Sequence, residues 1–214
     1  MRRPLRILLS SLALALAIPA AALAGVPSAF DSTLPACMAL CPLGDLPFTV
    51  VVRDIAHNPV AGSVVVLDFS QAPTAHICEP WGYDPYTVNV AARPLSATAD
   101  ATGTIVFPAR IGGTAPAGSV RVFANGVFLK SYALASPDQD GTGAVYTGPP
   151  VGGDDIGVFT PKLGTTDPTA DFTCDGLVND DDRIVIYYHY SQSCMGWIDP
   201  VRKSTWGEVK THYR

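Results

Sequence analysis

The chain has 214 residues, 48% hydrophobic and 15% charged, with 19 glycines, 19 prolines and a formal net charge of −5. That apolar fraction excludes a wholly disordered chain, and the acidic balance argues against a nucleic-acid scaffold, which is usually basic. The glycine and proline load argues against a helical bundle and for short strands joined by turns, in a length that suits two domains.

Residues 1–24 read as a signal peptide. Arg2, Arg3 and Arg6 make a positive start, Leu8 to Ile18 is an apolar core, Pro19 breaks it, and Ala22-Leu23-Ala24 is a small-x-small cleavage site. The apolar stretch falls short of the ~20 residues of a spanning helix, and no later segment reaches that length. The expectation is a secreted protein, extracellular or at the cell surface, with no transmembrane segment.

Five cysteines follow: Cys37, Cys41, Cys78, Cys174 and Cys194. Outside the cytoplasm they read as disulfides. Cys174 and Cys194 bracket one short segment and are expected to pair. Cys78 is expected to bridge to Cys37 or Cys41, tying the extension at 25–45 to the first domain and leaving one thiol over. A zinc site built from Cys37, Cys41, His76 and Cys78 is the alternative use.

Residues 46–134 read as strands. Phe48 to Arg53 and Ser63 to Phe69 flank the Asn58-Pro59 turn. Tyr86 to Ala92 alternates, Asp100 to Gly103 is turn-like, and Thr104 to Phe107 follows. Val120 to Ala124 and Val127 to Ala133 flank Asn125-Gly126, a strong hairpin signal because both residues tolerate positive φ. About six short strands in ~90 residues predict a β-sandwich. The run Val50-Val51-Val52-Arg53-Asp54, then Asn58-Pro59-Val60-Ala61-Gly62 and Val64-Val65-Val66, resembles the opening hairpin of bacterial Ig-like domains of invasin-type adhesins. The resemblance implies a sandwich without catalytic activity.

Acidic residues concentrate beyond it. Ten of the 19 lie between Asp138 and Asp182, with Lys162 as the one basic residue in that interval. From Asp171 to Asp182, oxygen-bearing side chains fall at positions 1, 3, 5, 9 and 12 of a twelve-residue loop: Asp171, Thr173, Asp175, Asn179 and Asp182. Gly176 stands at position 6, where such a loop turns sharply, and Leu177 at position 7 would offer its carbonyl. Val178 at position 8 would turn inward. Ca²⁺ takes six to eight oxygens, and this spacing wraps them around one point. A helix is expected from Arg183 to Tyr190.

A second copy lies upstream. Asp138, Asp140, Thr142, Gly143 and Ala144 fill positions 1, 3, 5, 6 and 7, and Tyr146 at position 9 is a poor ligand. An insertion then delays position 12. Matching Asp154-Asp155-Ile156 to Asp182-Arg183-Ile184 makes Asp154 the twelfth residue, with Asp155 as the fallback. Gly157 and Pro161 weaken the helix that follows, so this is the weaker site.

The two loop-helix units, over 136–195, resemble a dockerin domain. The resemblance implies two Ca²⁺ sites in an antiparallel pair of units, docking to a cohesin-like or other extracellular protein, and polysaccharide-degrading assemblies as the setting. The predicted fold is therefore mainly β with a small α module: an Ig-like β-sandwich, then a dockerin-like pair of calcium-binding units, then a tail at 196–214.

Other features point elsewhere. Trp81, Tyr83 and Tyr86 in a proline-rich loop are candidate sugar-binding aromatics, the mark of a carbohydrate-binding accessory protein. Catalysis has little support. His57, His76, His189 and His212 fit no nucleophile elbow or metalloprotease pattern, and Glu79 with Asp84, a carboxylate pair that would suit a secreted hydrolase, reads as surface charge in a proline-rich loop. The expectation is a protein that is not an enzyme.

Overall fold

The computed structural model describes residues 25–79, 85–89, 93–145 and 155–194, and the backbone of 196–197. The expected leader, Trp81, Tyr83, Asp84, Tyr146, Asp154 and the tail beyond 197 lie outside the described residues. Among those described, no helix is long and apolar enough to cross a membrane.

The chain is mainly β with a small helical part. Strand β1 (Phe48–Val51) pairs antiparallel with β6 (Thr104–Phe107), Phe48 opposite Phe107. The larger sheet runs in the order β4 (Thr87–Val88), β5 (Pro94–Thr98), β2 (Val64–Asp68), β8 (Ala115–Ala124), β9 (Val127–Leu134), all antiparallel. A short pair, β3 (His76–Ile77) with β7 (Ile111–Gly112), closes one end.

The period-2 alternation of the strands sends one face of each inward. Phe48, Val50, Ile105 and Phe107 of the small sheet share a core with Val65, Leu67, Leu95, Val120, Val122 and Leu134 of the large one. Phe48 meets Tyr132 edge to face across the layers, with centroids 5.4 Å apart. The β8–β9 hairpin turns on Asn125 and Gly126 at φ 47° and 80°, as that dipeptide predicts.

Beyond β9 the chain builds two loop-helix units around a second, smaller core of Val145, Phe159, Ala170, Phe172, Val178 and Ile186. Helix α1 (Asp155–Phe159) is short and runs into a 3₁₀ turn at Thr160–Lys162, where Pro161 removes a backbone donor. Helix α2 (Asp180–Tyr188) begins three residues earlier than expected because Asn179 caps it in a capping box with Asp182. After α2, β10 (Gln192–Ser193) pairs with β11 (Gly196–Trp197).

Two disulfides join these parts, and neither is an expected pair. Cys37 bonds Cys174 and Cys78 bonds Cys194, while Cys41 is a free, buried thiol. The Cys174–Cys194 expectation fails because the segment after α2 does not return to the loop that precedes it. It runs along the first loop, where the Cys194 N–H donates to the Gly143 carbonyl at 2.9 Å and Ala144 bridges Ser193. Cys194 is thereby brought to Cys78 and Cys174 to the N-terminal segment. That segment also lies along the β unit, with Thr33 bridging Val51 and Ala39 bridging Ala135.

Candidate metal centre

The second loop folds around Asp171. Its buried carboxylate accepts the N–H groups of Asp175 (3.2 Å) and Gly176 (2.9 Å). Gly176 sits at φ 89°, a left-handed conformation that turns the loop where position 6 requires it. Asp182, fully buried at the first turn of α2, accepts from Phe172 N (2.7 Å) and Thr173 N (3.0 Å) through one oxygen. Its other oxygen accepts from Asn179 N at 2.9 Å. One carboxylate thus closes the loop and caps the helix. Oxygens of Asp171, Asp175 and Asp182 lie within 4.8 Å of one another. Thr173 Oγ1 is 3.2 Å from Asp182 Oδ1. Asn179 turns its Oδ1 to Asp181 N at 2.6 Å, so it serves the helix cap, and its Nδ2 donates to Asp175 Oδ2. The Leu177 side chain is exposed while Val178 is buried, as positions 7 and 8 demand.

The first loop repeats this network. Asp138, fully buried, accepts from Thr142 N (3.1 Å) and, through its other oxygen, from Gly143 N (2.8 Å). Gly143 has φ 85°. At the head of α1, Asp155 Oδ1 accepts from Gln139 N (2.6 Å) and Asp140 N (3.3 Å). Those bonds are the counterparts of the ones Asp182 makes. Asp154 lies outside the described residues; among those described the fallback, Asp155, stands opposite Asp182, and the helices align with Phe159 on Ile186. Both Phe159 and Ile186 are fully buried, whereas Tyr187, the expected partner of Phe159, is 56% exposed. Oxygens of Asp138, Asp140 and Asp155 again lie within 4.8 Å. Thr142 Oγ1 donates to the Ala144 carbonyl, the position-7 oxygen.

The carboxylates are distributed differently but their number is equal. Position 3 is Asp140 in one loop and Thr173 in the other, and position 5 is Thr142 or Asp175. Each cluster therefore carries three carboxylates. Burial, a hydrogen bond with Asp140 and the charge of Asp155 push the Asp138 carboxyl up to about 8.

The units are related as a swapped pair. Val178 exchanges backbone hydrogen bonds with Gly164 and Thr165, which follow α1. Val145, at position 8 of the first loop, exchanges the matching bonds with Ser191 and Gln192, which follow α2. Each loop is thus clipped by the segment behind the other helix. Phe159 and Phe172 stack between the units, centroids 5.9 Å apart and planes 19° from parallel.

The other expected sites separate. Tyr86 is 5% exposed, packs on Phe107 and accepts the Arg110 N–H, so it cannot present its ring to a sugar. Glu79 is exposed and its backbone carbonyl receives Arg110. The zinc set of Cys37, Cys41, His76 and Cys78 is excluded because Cys37 and Cys78 are disulfide-bonded to other partners. One cluster that sequence reasoning missed combines Cys41, Asp45 and His189. Its members come from opposite ends of the chain, and no local spacing signals them. Burial and the neighbouring Asp45 carboxylate push the Cys41 thiol up to about 12.

Comparison of the chain with protein-family models, with curated proteins and with solved structures returned no match.

Proposed function

We propose that this is a secreted, non-catalytic protein in which a dockerin-like pair of loop-helix units binds two calcium ions and supports docking to an extracellular protein. The observation that carries the reading is the duplicated network. Two loops each converge three carboxylates, turn on a positive-φ glycine at position 6, and close on an acid at the head of a helix. A hard cation that takes six to eight oxygens suits both. Asp138, Asp140, Thr142, the Ala144 carbonyl and Asp155 would hold one ion. Asp171, Thr173, Asp175, the Leu177 carbonyl and Asp182 would hold the other.

In this reading calcium supplies positive charge that three converging carboxylates otherwise lack, and so stabilises the folded state by mass action. The protein-facing surface is α2, where Ile184, Tyr187 and Tyr188 are 62%, 56% and 73% exposed. A cohesin-like partner, or a setting of polysaccharide degradation, rests on the dockerin resemblance. The Ig-like identity of the β unit rests on its opening hairpin.

Titration calorimetry of the mature chain, residues 25–214 with disulfides intact, tests the calcium reading. An isolated helical fragment is unsuitable, since both disulfides reach outside it. Two equivalents of bound Ca²⁺ support the proposal. Absence of binding at millimolar calcium removes it.

A further inference from the structure

We infer that Cys41, Asp45 and His189 form a zinc site where the N-terminal segment meets the end of α2, separate from both acidic loops. Their Sγ, carboxylate oxygen and ring nitrogen lie within 4.8 Å of one another. Cys41 is the one cysteine outside a disulfide, and it is fully buried.

The histidine is oriented as a ligand. His189 Nδ1 lies 2.7 Å from the Val185 carbonyl, an acceptor, so Nδ1 carries the proton. In the neutral ring that leaves Nε2 with a bare lone pair. Nε2 faces Asp45 Oδ1 at 3.5 Å, and the His189 side chain is only 4% exposed. A lone pair on a buried ring nitrogen that faces an exposed carboxylate oxygen makes a donor pair open to a shared cation. A carbonyl fixing the remote nitrogen is the usual outer-shell arrangement of a metal-bound histidine.

The carboxylate is held in the same way. Gln192, fully buried, donates Nε2 to Asp45 Oδ2 at 2.6 Å. Its Oε1 has no hydrogen-bond partner among the described residues. Cys41 Sγ reaches Asp45 Oδ1 at 2.6 Å.

The donor set selects the metal. Thiolate, imidazole and carboxylate together suit zinc, whereas calcium takes oxygen alone. Ligands ~2.0–2.3 Å from a tetrahedral zinc lie roughly 3.3–3.7 Å apart. The His189–Asp45 separation already matches, and the shorter Cys41–Asp45 contact must open by about 1 Å. Asp45 is exposed, which leaves its side chain room to swing about the Gln192 hydrogen bond. Its exposed side also leaves a fourth position to water, giving three protein ligands and one solvent ligand. Binding would release the Cys41 proton and add a third tie between the β unit and the loop-helix units.

The test uses the mature, disulfide-intact chain in saturating calcium, so that any acidic-loop sites are filled. Cobalt(II) is the spectroscopic probe. The inference predicts a thiolate-to-cobalt charge-transfer band saturating at one equivalent and bleached by zinc. Asp45→Ala, at an exposed position, and His189→Gln should each lower zinc affinity by more than the ~10–100-fold that loss of an outer-shell partner costs, and Gln192→Leu should fall within that range. Cys41→Ser should abolish the band. No charge-transfer band in the wild-type chain would overturn the inference, leaving a thiol hydrogen bond beside a histidine–aspartate ion pair. Unchanged zinc affinity in both Asp45→Ala and His189→Gln would overturn it equally, by placing the metal elsewhere.

Discussion

Replacing Asp182 by alanine tests the second loop at its closure. The substitution removes the acceptor of three backbone N–H groups: Phe172 at 2.7 Å, Thr173 at 3.0 Å and Asn179 at 2.9 Å. A hydrogen bond to a charged group contributes ~1.5–3 kcal/mol, and an orphaned buried donor costs ~1–3 kcal/mol. Thr173 is exposed and Asn179 half-buried, so their N–H groups can turn to water, but Phe172 is buried. The loss in chelator should therefore be about 3 kcal/mol, most of it from Phe172 and the broken capping box. Calcium should widen the gap. At a hundredfold excess over Kd a filled site adds ~2.7 kcal/mol, which the wild-type second loop gains and the variant does not. Urea denaturation of the mature chain, followed by circular dichroism with and without calcium, measures both parts. Wild-type stability in chelator would refute the hydrogen-bond argument. A calcium increment as large as the wild type's would refute the ligand role.

Three other outcomes follow from the same geometry. In chelator, stability should fall as pH rises from about 4 through about 8: the folded Asp138 carboxyl has a raised pKa, so its protonated form stabilises the fold at low pH and that contribution is lost on ionisation. Denaturation midpoints across that range, repeated with Asp138→Asn, check the sign, and a midpoint rising with pH in chelator contradicts it. Phe159→Ala should cost ~3–5 kcal/mol and weaken calcium binding at both loops, because Phe159 stacks on Phe172 of the other unit; an effect confined to the first loop would show the units to be uncoupled. Paired replacement of Cys37 and Cys174 by alanine should cost ~2–5 kcal/mol in denaturation and lower calcium affinity at the second loop more than at the first, since Cys174 is part of that loop. Equal losses at both loops would contradict a local effect.

What was legible in the sequence had a local physical signature. The β-branched runs and the Asn125-Gly126 turn located β1, β2, β6, β8 and β9, because alternation and turn chemistry act within a few residues. Strand β5, Pro94–Thr98, escaped: it opens with proline and carries serine and alanine, and it is held by pairing with β2 on one side and β4 on the other. In the second loop the turn at Gly176 and the inward Val178 were readable from residue type, whereas Asn179, read as a ligand, caps α2. The first could be read only to Ala144. Its insertion erased the spacing, and two adjacent aspartates left the register to be decided by which helix residue reaches the core, a tertiary fact. Disulfide pairing was illegible for a similar reason. The exchange of clips between the units, through Val145 and Val178, sends Cys194 to the other loop. The Cys41–Asp45–His189 cluster joins the N-terminal segment to the end of α2 and had no sequence signal at all.

Amide NMR of the mature chain during a calcium titration tests the duplicated-loop account most directly. Gly143 and Gly176 each donate a backbone N–H to the position-1 carboxylate of their loop, at 2.8 and 2.9 Å. A cation drawing on those carboxylates must repolarise both bonds. The account predicts that both glycine resonances shift and saturate at one ion each, and that Asp182→Ala silences Gly176 while sparing Gly143. Saturating calcium that leaves both glycines in place would contradict it.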